Sequence, residues 1–126
     1  MRTAPSSFTP PTEVFAGYIF DCDGTLADTM PLHHLAWQRA LAEHGAEFDF
    51  HWELFVSRAG MTLEQTVVEL AAQFRVPLDP TAVARSQRHF YAELEPTMEP
   101  IADVISYARS AARSAPVSVA SGSQRA

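Results

Sequence analysis

Tyr18-Ile19-Phe20-Asp21-Cys22-Asp23-Gly24-Thr25-Leu26-Ala27-Asp28-Thr29 joins an apolar run to an acidic turn. Such a junction reads as a buried strand opening onto a site at its carboxyl end. Side chains alternate along extended backbone, so Asp21 and Asp23 share one side and Cys22 takes the other. Gly24 lets the chain turn sharply after the second carboxylate. Two carboxylates so placed hold a hard cation and divide nucleophile and acid/base work between them. A pair able to do both suggests phosphoryl transfer. Thr25 adds a hydroxyl, and Asp28 and Thr29 are placed to cap the next segment.

Two competing readings of the turn fail. An EF-hand loop starting at Asp21 would need glycine at its sixth position and glutamate at its twelfth, where Leu26 and Leu32 stand. A P-loop needs a lysine after glycine, and the chain has none: all nine basic residues are arginine.

Outward from this turn, Val14 to Phe20 is the expected first strand. Leu32, Leu35, Ala36, Ala40 and Leu41 have helical spacing over Pro31 to His44, with Gly45 as the stop. Glu47 to Arg58 is apolar but of undecided type. Thr62-Leu63-Glu64-Gln65 is a capping box, and Val67, Leu70, Ala71 and Phe74 continue that helix. Asp79-Pro80 starts another helix to about Leu94, with Val83, Phe90 and Leu94 inward. Pro96 and Pro100 bracket a connector before a helix carrying Ile101, Val104, Ile105 and Ala108. Val117-Ser118-Val119-Ala120 is the second expected strand, and it too empties into small polar residues, Ser121-Gly122-Ser123.

Two strands joined by a crossover are parallel. The helices between them are too many for one crossover, so those from Pro31 to Leu94 are expected to form an inserted cap. Its hinges are expected at Asp28–Met30 and Pro96–Pro100. The expected organisation is a tail over 1–13, core strand and catalytic loop over 14–28, cap over 29–96, and core helix with second strand over 97–126. Parallel sheets need more than two strands. The sequence is therefore expected to be the N-terminal part of a longer protein.

The formal net charge of −6 argues against a nucleic-acid surface. Cys22 is the one cysteine, so no internal disulfide forms, as in a reducing compartment. The Pro/Ser/Thr-rich start lacks a signal-peptide core, and no apolar run reaches membrane-spanning length. A cytoplasmic protein is the expectation.

Asp21-Cys22-Asp23-Gly24-Thr25-Leu26-Ala27-Asp28-Thr29 resembles the first motif of the haloacid dehalogenase superfamily, and Val119-Ala120-Ser121-Gly122-Ser123 resembles its second. Pro31-Leu32-His33-His34-Leu35-Ala36-Trp37 resembles the beta-phosphoglucomutase-like subgroup, which includes phosphatases of small sugar phosphates such as fructose 1-phosphate. The likeness runs from about Phe15 to the end. It implies an α/β fold: a Rossmann-like parallel-sheet core, incomplete here, with a helical cap. It further implies Asp21 as nucleophile and magnesium ligand. Asp23 would be acid/base, and its backbone carbonyl would be a second magnesium ligand. Ser121 and the Gly122 amide would bind phosphate, and His33 and Trp37 would lie at the mouth of the site. His33 otherwise reads as a surface helix residue, and Trp37 as packing between cap and core.

The implied function is a magnesium-dependent phosphatase of a small phosphorylated metabolite, by way of an aspartyl-phosphate. A phosphosugar mutase and an inactive truncated chain are the alternatives. The family's third motif supplies Lys or Arg and its fourth supplies further acidic metal ligands; neither has a candidate after Ser121. By itself the chain is expected to be inactive or nearly so. The mutases' cap arginine is replaced by Leu63, with Arg58 on the other side of Gly60, and Gln87 or Arg88 stands near their cap lysine. Those losses favour the phosphatase. Nothing in the sequence assigns an oligomeric state.

Overall fold

The computed structural model describes residues 8–122. In chain order they form β1 (Tyr18–Asp21), α1 (Met30–Glu43), α2 (Trp52–Ser57), α3 (Leu63–Phe74), α4 (Pro80–Leu94), a 3-10 turn (Glu95–Thr97), α5 (Ala102–Ala112) and β2 (Val117–Ala120). These residues divide into two compact units. One holds the chain up to Met30 and again from Thr97; the other is Pro31–Pro96.

In the first unit β1 and β2 pair in parallel, with Tyr18 opposite Val117 and Asp21 opposite Ala120. Alternation puts Tyr18, Phe20, Val117 and Val119 on one face. Tyr107 of α5 meets Tyr18 and Phe20 edge-on, at ring separations of 5.9 and 6.0 Å, and Phe8 lies 5.7 Å from Tyr107. Edge-to-face contacts at such distances are the preferred aromatic geometry.

The strand expected over Val14 to Phe20 is shorter and less buried. Val14 is 86 % exposed and Ile19 76 %. The ladder starts where the Tyr18 N–H bonds the Pro116 carbonyl at 3.0 Å. Pro116 has no N–H to extend it backwards, so β1 begins at Tyr18.

The connector after Pro96 is not merely a linker. Asp28 N–H donates to the Glu99 carbonyl and Ile101 N–H to the Leu26 carbonyl, both at 2.8 Å. Ala27 and Pro100 thus form an antiparallel bridge. The return segment is zipped onto the acidic turn, and Ile101 starts α5 without a side-chain cap.

The second unit is helical. Its core is drawn from Ala36, Trp37, Ala40 and Leu41 of α1, Phe50, Leu54 and Phe55, Val67 and Leu70 of α3, and Val83 and Ala84 of α4. Thr62 accepts from the Gln65 N–H at 3.1 Å while Gln65 Oε1 accepts from the Thr62 N–H at 3.2 Å, completing the capping box. Asp79 accepts from Thr81 and Ala82 N–H, with Pro80 at the first helical position. The undecided stretch Glu47 to Arg58 resolves into α2, capped by His51, whose Nδ1 accepts from the Leu54 N–H at 3.2 Å. The inward face of α4 differs from expectation: Val83, Ala84 and Gln87 are buried, while Phe90 and Leu94 are only half-buried. No helix among the described residues is long and apolar enough to cross a membrane.

Candidate active site

The acidic turn is organised by one backbone carbonyl. That of Cys22 accepts from the N–H groups of Thr25, Leu26 and Ala27 at 2.9–3.1 Å, and Gly24 N–H closes the loop on the Ala27 carbonyl at 2.8 Å. Gly24 sits at φ +76°, which other residues adopt only with strain.

Asp21 ends β1 and is exposed; Asp23 follows in the turn, half-buried. Thr29 Oγ1 donates to Asp23 Oδ1 at 2.9 Å, and Thr29 is 1 % exposed. Its hydroxyl orients the Asp23 carboxylate, a role that its place in the sequence, suited to capping, does not reveal. Cys22 is half-buried between the two acids. Partial burial first, then the charges of Asp23 and Asp21, hold its thiol above the ordinary range. It is a poor nucleophile.

Ser121 directly follows Ala120, the partner of Asp21, so the β1–β2 register brings Asp21, Ser121 and Gly122 to one end of the parallel pair. Among the described residues no three His, Cys, Asp or Glu side chains cluster for a metal. Asp21 and Asp23 offer oxygens at this turn. Such a sparse, hard oxygen set fits Mg²⁺, which keeps several waters and shares positions with substrate phosphate.

His33 and Trp37 belong to the helical unit. Trp37 is 4 % exposed, with its ring 5.7 Å from that of Phe50, so packing fits its burial better than substrate contact. His33 stacks flat on Tyr91, at 3.8 Å and 3°, and Gln87 Nε2 lies 3.4 Å from its Nδ1. Of the two residues near the expected cap-lysine position, Gln87 is buried against His33, whereas Arg88 is exposed and pairs with Glu64 at 2.9 Å. Arg58 binds Glu69 and Gln73. His34 Nε2 donates to the Phe50 carbonyl at 2.7 Å, beside Trp52 and Phe55, which makes it a structural tie.

A parallel strand pair whose carboxyl ends gather an acidic turn and a serine defines a class, the α/β proteins that work at the strand ends. Within it the chain belongs to the haloacid dehalogenase-like hydrolase family, which it matches over residues 18–126. An uncharacterized protein of Haemophilus influenzae is 33 % identical over 112 residues, covering 88 % of this chain and 55 % of the relative. Fructose-1-phosphate phosphatase YqaB of Escherichia coli is 36 % identical over 76 residues, 60 % of this chain and 39 % of that protein. A hydrolase from Pseudomonas syringae shares the fold at a TM-score of 0.71 and 17 % identity, over 87 % of this chain and 51 % of that one. The chain thus spans about half the length of the curated relatives it matches.

Proposed function

We propose that the protein is a magnesium-dependent phosphatase of a small phosphorylated metabolite, a sugar phosphate. The observation that supports this is the register of Asp21 with Ala120, which leaves Asp21 and Ser121 at the same end of the strand pair. Asp21 attacks phosphorus; the Asp21–phosphorus bond forms as the bond to the sugar oxygen breaks. Asp23, oriented by Thr29, gives its proton to that leaving oxygen. In the second half it takes a proton from water, whose oxygen displaces Asp21 and releases phosphate. Ser121 and the Gly122 N–H hold phosphate oxygens. Mg²⁺, held by Asp21 and the Asp23 carbonyl, would offset the repulsion between carboxylate and phosphate.

Two features favour a phosphatase over a mutase. Arg58, nearest to the expected cap arginine, is engaged by Glu69 and Gln73. By the resemblance, Leu63 stands at the mutases' cap arginine, and Gln87 or Arg88 near their cap lysine, with Arg88 paired to Glu64. Product analysis on the full-length protein tests the reading. Inorganic phosphate should be released from fructose 1-phosphate, with no hexose-phosphate isomer formed. Asp21→Asn should abolish release and leave the far-UV spectrum unchanged. Retention of a tenth of the activity would remove Asp21 as nucleophile.

A further inference from the structure

Nδ1 of His51 stands between a donor and an acceptor. The Leu54 N–H donates to it at 3.2 Å, and Glu53 Oε2 lies 3.2 Å from the same atom. A ring nitrogen carries either a lone pair or a hydrogen, so it serves one of these partners at a time. A backbone N–H only donates. While Leu54 is bound, Nδ1 therefore has no proton and the ring hydrogen is on Nε2. Protonating Nδ1 reverses the relation: the new N–H donates to the Glu53 carboxylate, and the Leu54 donor loses its acceptor. The His51 and Glu53 side chains are 51 % and 82 % exposed, so protons reach the ring from solvent.

The contact is faced by Glu53 from α2 itself and by His34 from α1. Glu53 is held below the ordinary carboxylate range, first by its own backbone N–H and then by His51, so it remains an acceptor at mildly acid pH. His34 Nε2 donates to the Phe50 carbonyl at 2.7 Å. A carbonyl only accepts, and Nε2–H is present in imidazole and imidazolium alike, so protonating His34 keeps that bond. The two histidines thus answer acid differently.

We propose that His51 is a proton-operated catch on the first turn of α2: neutral, it accepts from the Leu54 N–H; protonated, it turns to Glu53 and leaves that donor to water. The Leu54 and Phe55 side chains are buried, so the freed donor reaches water only by loosening that turn. The Phe55 N–H keeps the His51 carbonyl at 3.0 Å, which confines the loosening. The catch lies wholly within the helical unit and is independent of the proposed phosphatase function.

Nuclear magnetic resonance of the full-length protein between about pH 8 and about pH 5.5, a span that covers ordinary imidazole titration, tests this. At the alkaline end His51 Nδ1 should show the signature of an unprotonated acceptor. Leu54 N–H exchange, corrected for its intrinsic pH dependence, should speed up about fivefold on acidification, in step with the His51 ring. His51→Asn, a cap that does not titrate, should hold Leu54 exchange constant. His34→Gln, which retains a donor for the Phe50 carbonyl, should leave the response in place. Glu53→Gln should move the Leu54 transition to lower pH, because the charge that favours the protonated ring is gone. A proton on Nδ1 at the alkaline end overturns the proposal. So does Leu54 exchange that stays flat in the unaltered protein, follows His34, or still responds in His51→Asn.

Discussion

Thr29→Val isolates the hydroxyl that orients Asp23. Thr29 is 1 % exposed, so valine fills the same space and removes only the donor to Asp23 Oδ1. A hydrogen bond to a charged group contributes about 1.5–3 kcal/mol. Asp23 is half-buried, so water recovers part of that, and the added methyl recovers about 0.5 kcal/mol. The expected net loss is about 1–2 kcal/mol. In urea, at a slope of about 1.5 kcal/mol per molar, the unfolding midpoint should fall by about 1 M. Far-UV circular dichroism reads it. Thr29→Ser keeps the hydroxyl and should lose only about 1 kcal/mol through the missing methyl. The decisive comparison is a double-mutant cycle: in an Asp23→Ala background, Thr29→Val should cost less than half as much. An equal cost in both backgrounds would show that the hydroxyl does not act through Asp23, and its place in the acid/base step would fall with it.

Gly24→Ala should lose about 1–2 kcal/mol from its left-handed backbone, and more than Gly45→Ala. Both have positive φ, but an added Cβ meets Met30 Cγ at 3.1 Å at Gly24 and nothing within 4 Å at Gly45. Thermal unfolding of the pair, with Met30→Ala as a rescue of the difference, checks it. Thr62→Ala should lose about 1 kcal/mol through the capping box, and Thr62→Ser much less, by urea titration. Glu64 is held below the ordinary carboxylate range, first by its own backbone N–H at the start of α3 and then by Arg88. A lowered folded-state pKa means stability that is present above about pH 4.3 and lost as pH falls through the folded value. The Tm advantage expected over Glu64→Gln at about pH 7 should therefore shrink as pH falls below the ordinary carboxylate range, and a gap that stayed constant would refute the assignment.

The helix starts were legible because their signals are local. Thr62 with Gln65, and Asp79 before Pro80, satisfy backbone donors within four residues of themselves. Strand length was not, because a strand ends where its partner does. β1 stops short of Val14 through Pro116, far away in sequence. α2 escaped because its cap is His51, outside the usual set of small capping side chains. At the site, the acidic turn and Ser121 stand out as residue types at strand ends. The pairing of Glu99–Ile101 with Leu26–Asp28 leaves no mark, since it uses backbone atoms around a proline.

The buried face of α4 shows what periodicity leaves out. Apolar counting assigns Val83, Phe90 and Leu94 to the inside, because it treats every buried position as a gain in apolar area. Gln87 breaks that rule: its partner, His33, is 54 residues away on α1. A polar side chain is stable inside when its donors and acceptors are met, and no periodicity within α4 reports on a partner held by another helix. Sequence pattern therefore finds chemistry concentrated in one segment, such as Asp21 to Thr29, and misses chemistry assembled across segments.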